Sequence, residues 1–132
     1  MQKKPLPVGI DDFEKLIRNN YYYVDKTLFI KELLDKKGEV NLFTRPRWFG
    51  KTLNQSMIRF FFENTGSLEG NEANQALFKD LQIMKQGDRY TQEMSSYPVI
   101  SLSLKSSKQP DWELAYGCLK EEIGREYLRH RI

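Results

Sequence analysis
The sequence predicts an α/β sandwich built on a parallel sheet, with a helical lead-in over residues 1–38. Three observations predict it. An apolar stretch with Val40, Leu42 and Phe43 runs into Gly50-Lys51-Thr52, after which Leu53, Met57, Phe60 and Phe61 recur at helical spacing. A second stretch, Pro98 to Leu104, alternates apolar and small polar residues as a strand does. A last helical pattern follows it, and strands joined through helices by right-handed crossovers pack as layers.

The elements follow in order. Pro5 and Pro7 keep residues 1–9 extended. Asp11-Asp12 offers an N-cap to a short helix with Phe13, Leu16 and Ile17 on one face, ending at Asn19-Asn20. Tyr21-Tyr22-Tyr23-Val24 is β-prone, and its tyrosines are expected to pack into the core rather than stack on a ligand. Asp25 is expected to cap a second helix carrying Leu28, Phe29, Leu33 and Leu34. Lys36, Lys37 and Gly38 stop it, with cations on the negative end of the dipole and a glycine able to take positive φ. The helix after Gly50-Lys51-Thr52 is expected to reach about Asn64. Thr65-Gly66-Ser67 and Gly70-Asn71 then break the pattern before a short helical stretch from Ala73 to Phe78. Residues 86–96 are polar and carry little signal. Lys108-Gln109-Pro110-Asp111 opens the last helix, whose Trp112, Ala115, Tyr116, Leu119, Ile123 and Tyr127 line one face.

Composition narrows the function. A chain of 132 residues is one domain or part of one, and a hydrophobic content of 39% suffices for a core. The net charge of +3 suits a polyanionic small ligand without demanding nucleic acid. Cys118 is the single cysteine, which excludes an internal disulfide and predicts a cytoplasmic protein. No apolar stretch approaches the roughly 20 residues of a membrane span, and no signal-peptide pattern follows Lys3-Lys4, so no membrane partner is expected. One histidine, His130, and one cysteine are too few for a zinc site, and a nucleophilic triad would have to use a histidine at a frayed end. Glu121-Glu122 beside Arg125 reads as a solvated helix face.

Strand, Gly-Lys-Thr turn and helix, in that order, lay out a phosphate-binding loop. The first amides of a helix have no intrahelical acceptor, and the dipole adds partial positive charge there. Gly50 lets the backbone approach a phosphate, Lys51 can reach the β- and γ-phosphates, and the Thr52 hydroxyl can hold Mg²⁺ through the nucleotide. The standard pattern G-x-x-x-x-G-K-[ST] would place a glycine at position 45, where this chain has Arg45. Pro46 has no N–H to donate. The guanidinium groups of Arg45 and Arg47 could replace those donors on phosphate oxygens, or stand as solvated arginines. The candidate nucleotide-binding set is Arg45, Pro46, Arg47, Trp48, Phe49, Gly50, Lys51, Thr52 and Leu53, with ATP and Mg²⁺ as cofactors and no catalytic residue assigned.

The runs YYYVDKTLFIKELL, LFTRPRWFGKTL and YPVISLSL resemble the prokaryotic AAA-ATPase-like family, P-loop ATPases often fused to a PD-(D/E)XK nuclease-type domain. The resemblance runs from about Pro7 to Leu104 and matches that family's N-terminal part. It implies an incomplete P-loop NTPase-type three-layer sandwich, of which residues 39–132 form the first part. The family's loop usually reads R-P-R-R-F-G-K-T, so an arginine in place of the first glycine is shared; Trp48 stands where the family has a further arginine. The family's V-D-K-T implies base-side contacts for Asp25 and Lys26, although the residues themselves read rather as a helix cap and a surface lysine. The family's later strand ends in acids, the Walker B element that holds Mg²⁺ and positions water. Here Val99 to Leu104 is followed by Lys105-Ser106-Ser107, with no carboxylate. The expectation is a chain that stops before its sheet is complete, binds a nucleoside triphosphate weakly and hydrolyses it poorly or not at all, with nucleic acid as a partner of the parent protein and the oligomeric state left open. The alternative is a non-catalytic module whose basic loop and Arg125, Arg129 and Arg131 touch nucleic acid. There the cations would spread along a face, whereas Arg45, Arg47 and Lys51 cluster at one turn.

Overall fold
The computed structural model describes residues 3–44 and 50–130. Among them the chain forms α1 (Phe13–Arg18), α2 (Leu28–Lys36), α3 (Lys51–Phe62), α4 (Leu68–Ala76), α5 (Asp88–Thr91) and α6 (Trp112–Arg129). Short 3-10 turns lie at Gln82–Lys85 and Lys105–Ser107. Three helices begin where a polar side chain takes up a free amide. Asp12 accepts from Lys15 N–H at 3.2 Å, Ser67 from Gly70 N–H at 3.0 Å, and Asp111 from Leu114 N–H at 2.9 Å. Among the described residues no helix is long and apolar enough to cross a membrane.

The chain divides into two units, Met1–Tyr97 and Pro98–Ile132. The core of the first is drawn from α1, α2, α3, α5 and the stretches after α4: Phe13, Ile30, Met57, Phe60, Phe61, Leu77, Phe78, Ile83, Tyr90 and Met94. Phe78 is its hub, with ring centroids 4.9 Å from Phe13 and 5.3 Å from Phe61. Polar joints fix the helices around it. The Ser56 hydroxyl accepts from Phe13 N–H at 3.0 Å and donates to Asp12 Oδ1 at 3.1 Å, which ties α1 to α3. The Tyr90 hydroxyl donates to Asp35 Oδ1 at 2.7 Å, which ties α5 to α2. Of the three tyrosines read as core, Tyr23 is half-buried against Phe13 and Tyr22 is exposed. Burial pushes the Tyr23 phenol above its ordinary pKa.

In the second unit, α6 is held to the chain before it by polar contacts. Ser101 N–H donates to Glu126 Oε2 at 3.1 Å and Arg129 donates to the Val99 carbonyl at 2.8 Å. The apolar face read from the sequence is not buried. No described residue of α6 is buried, and Trp112 is 71% exposed, stacked on Tyr116 at 5.5 Å.

The predicted α/β sandwich is overturned, and with it the three-layer P-loop NTPase-type arrangement. The chain is helical, with no sheet among the described residues; an isolated parallel bridge, Glu63 to Tyr97, is the nearest approach. Residues 39–44 and 98–104 lack strand pairing and expose their apolar side chains: Val40 is 89% and Ile100 72% exposed. The reason is physical. Alternation records which way side chains point, but a sheet also needs a neighbouring backbone for its N–H and C=O groups. Helices close those bonds within one segment, and here helical residues supply the core. Local readings are corrected as well. The helix-ending residue with positive φ is Lys37 (φ 50°) rather than Gly38. α4 starts at Leu68 and runs through Gly70 and Asn71, which were expected to break it. The polar stretch 86–96 contributes Tyr90 and Met94 to the core.

Candidate functional site
The site grows from the amino end of α3. Gly50 has φ +77° and ψ 22°, the left-handed region in which a side-chain-bearing residue is disfavoured by roughly 1–2 kcal/mol. That turn starts a helix of 12 residues that no side chain caps among the described residues. Asn54 N–H bonds to the Gly50 carbonyl at 2.9 Å as the first rung. The amides of Lys51, Thr52 and Leu53 therefore precede the ladder, where the dipole is positive.

Burial sets the roll of the helix. Met57, Phe60 and Phe61 are buried and Leu53 packs against the same core. Lys51, Asn54, Gln55 and Ile58 are thereby turned into a cleft of about 470 Å³. Lys26, Phe29 and Phe43 supply its opposite lining. That volume falls in the range of small-molecule sites, roughly 300–1,000 Å³. Two ammonium groups line it, and among the described residues neither Lys26 nor Lys51 forms an ion pair. The Phe29 and Phe43 rings meet edge to face at 4.6 Å and 70°. No carboxylate is among the described lining residues.

Each residue singled out from the sequence has a definite place, except those at 45–49. Gly50 caps α3, Lys51 lines the cleft, and Leu53 is half-buried. Thr52 is exposed on the first turn and does not line the cleft. Arg45, Pro46, Arg47, Trp48 and Phe49 lie outside the described residues, as does Arg131. Lys26 lines the cleft, but the Asp25 carboxylate is occupied elsewhere. Its Oδ1 accepts from Thr27 N–H at 2.8 Å and the Thr27 hydroxyl at 2.6 Å, and its Oδ2 from Gln82 N–H at 2.8 Å. Thr27, fully buried, accepts from Ile83 N–H at 3.1 Å. The N-cap of α2 is Thr27, without a side-chain cap bond, so Asp25 clamps the 82–85 turn instead of capping the helix. Phe29, Phe43, Asn54, Gln55 and Ile58 were not expected at the site. No local signal marks them: Phe29 reads as core, Phe43 as strand, and Ile58 as one more apolar residue on a helix.

The arginines of α6 are engaged by acids of their own helix. Arg125 meets Glu121 at 3.7 Å and Glu122 at 2.9 Å, and Arg129 meets Glu126 at 2.7 Å. Such neutralised cations attract polyanions weakly.

Comparison with known proteins gives the site a family. The family model described as predicted AAA-ATPase matches residues 7–131. A protein of Azotobacter chroococcum mcd 1, described as an uncharacterized protein in the vnfD 5' region, is 37% identical over 89 residues. That match takes in 67% of this chain and 15% of the relative's length. No solved structure matches the chain. With the family match spanning almost every residue described above, this chain is a member of the predicted AAA-ATPase family.

Proposed function
We propose that this chain binds ATP with Mg²⁺ through a variant Walker A loop, Arg45 to Leu53, as the nucleotide-binding part of an AAA-ATPase-like protein in the cytoplasm. The observation that carries this reading is the cleft beside the start of α3, lined by two ammonium groups that have no ion-pair partner among the described residues. A triphosphate is the complement of that arrangement: multiply charged, rich in acceptor oxygens and small enough for the volume. Lys51 is the phosphate-binding cation, the free amides of the first turn add donors, and Gly50 brings the backbone close. Arg45 and Arg47 supply further donors in place of the missing glycine and the Pro46 amide.

The donor set fits a nucleotide better than it fits a metal. Lysines and amides favour anionic oxygens, and a divalent ion seeks carboxylates, which the cleft lining lacks. Mg²⁺ would therefore be held mainly by the nucleotide; Thr52, on the first turn but outside the cleft lining, would reach it only through a phosphate placed at the helix start. When bound, the ion neutralises phosphate charge. The chain's own residues bind and orient the triphosphate, but the described lining holds no carboxylate to fix Mg²⁺ and an attacking water together. Binding without efficient turnover by the 132-residue chain follows.

Lys51→Ala tests the proposal in titrations of ATP·Mg²⁺ followed by calorimetry. A charge-assisted contact is worth about 1.5–3 kcal/mol, so affinity should fall about 10- to 100-fold. Full affinity in the variant refutes the phosphate-binding role. Sustained phosphate release by the wild-type chain refutes the absence of turnover.

A further inference from the structure
Resting on that reading, we propose that the Phe29–Phe43 side of the cleft is an aromatic seat for the nucleobase, with Phe43 as its stacking residue. The chemistry of the lining changes in order along α3. Lys51 opens the helix, Asn54 and Gln55 follow on the next turn, and Ile58 comes one turn later. Seven residues at 1.5 Å rise separate the first from the last by about 10 Å. Cation, amides and hydrocarbon therefore succeed one another over a distance comparable to that from the outer phosphates to the base of an extended nucleoside triphosphate. Across the cleft, Lys26 just before α2 is followed three residues later by Phe29, a cation and then an aromatic ring.

Phe43 is the residue whose state calls for a ligand. It is absent from the buried core, its side chain is 49% exposed, and an edge-to-face contact with Phe29 at 4.6 Å steadies it. A half-exposed phenyl ring lining a cleft is unfavourable in water and stabilised by any flat apolar partner laid against it. A base also has polar edges, and the amides of Asn54 and Gln55 can both donate and accept there. A purine, with the larger face, gains most from such a seat. An acyl chain would bury the rings as well, but it would leave the two lysines and two amides of the same lining without a function.

The experiment compares two ligands on the full chain, ATP·Mg²⁺ and inorganic tripolyphosphate, by calorimetry. Loss of stacking on a base corresponds to roughly 5- to 150-fold in affinity. Phe43→Ala should weaken ATP by a factor in that range and leave tripolyphosphate within about twofold. Phe43→Leu, which keeps the apolar contact without a ring, should track Phe43→Ala, and Phe43→Tyr should restore ATP affinity. Thermal melts establish that each variant is folded; Phe43→Leu and Phe43→Tyr serve if the alanine variant is not. Equal losses for both ligands, no loss for either, or wild-type affinity in Phe43→Leu overturns the base seat. The seat also falls, while phosphate binding stands, if the wild type binds tripolyphosphate as tightly as ATP and Lys51→Ala abolishes both. If neither ligand binds the wild type, both readings fall together.

Discussion
Asp35 shows how much one side chain can coordinate. Its carboxylate accepts from the Tyr90 hydroxyl at 2.7 Å and the Lys31 ammonium at 2.9 Å, with the Arg89 guanidinium at 3.7 Å. The Tyr90 hydrogen bond first, and that of Lys31 next, hold the carboxyl below its ordinary value of 3.8. Lys31 is raised above 10.5 in turn, chiefly by its hydrogen bond to Asp35. The two signs bracket a pH window. The Asp35 contribution is complete above 3.8 and disappears as pH falls through the lowered folded value. The Lys31 contribution is complete below 10.5 and disappears as pH rises through the raised one. Asp35→Asn should therefore melt below wild type at neutral pH, and the gap between the two melting temperatures should narrow as pH drops below 3.8. A gap that stays constant into acid would show that the charged contacts contribute nothing. The contact itself was not legible in the sequence, because Tyr90 sits 55 residues away in a stretch whose composition is polar.

At the scale of the element, α3 was the most legible part of the chain. Leu53, Met57, Phe60 and Phe61 recur at the helical period, and the structure buries the last three and packs the first against them. Gly50 was read from the sequence only as a place for a phosphate to approach; its left-handed φ, which a glycine before a helix permits, is a finding of the structure. Gly50→Ala should destabilise the protein by roughly 1–2 kcal/mol in urea unfolding. A Cβ at Gly50 meets nothing within 4 Å, so the cost is backbone strain alone, and an unchanged midpoint would mean the turn relaxes freely. The strands were misread for a definable reason. Val40, Leu42, Ile100 and Leu104 have the composition of buried strands, but periodicity cannot report whether a pairing backbone exists. The cleft was half legible. Lys51 and Lys26 came from motifs, whereas Phe29 and Phe43 meet only because the chain folds back between them, which no local pattern encodes.

Across the whole molecule, stability is distributed unevenly. The large buried side chains, Phe13, Phe61 and Phe78 among them, belong to the first unit, while α6 buries none of its described residues. Phe61→Ala should cost about 3–5 kcal/mol, a large part of the roughly 5–15 kcal/mol available to a domain. Trp112→Ala should change stability by no more than about 0.5 kcal/mol. Chemical denaturation of the two variants checks the contrast, and comparable losses would mean that α6 is better packed than its exposure indicates. The clamp beneath α2 bears on the cleft in another way. Asp25 and Thr27 are both fastened to the 82–85 turn, by partners 57 and 56 residues distant along the chain. The residue between them, Lys26, is thus moored on both flanks before any anion arrives. Folding has already removed its main-chain freedom, and only its side-chain torsions, at most about 2 kcal/mol of entropy, are left to be arrested. On the proposed reading, the second cation of the cleft would be a short tether on a fixed post, held by a turn that is not part of the cleft lining.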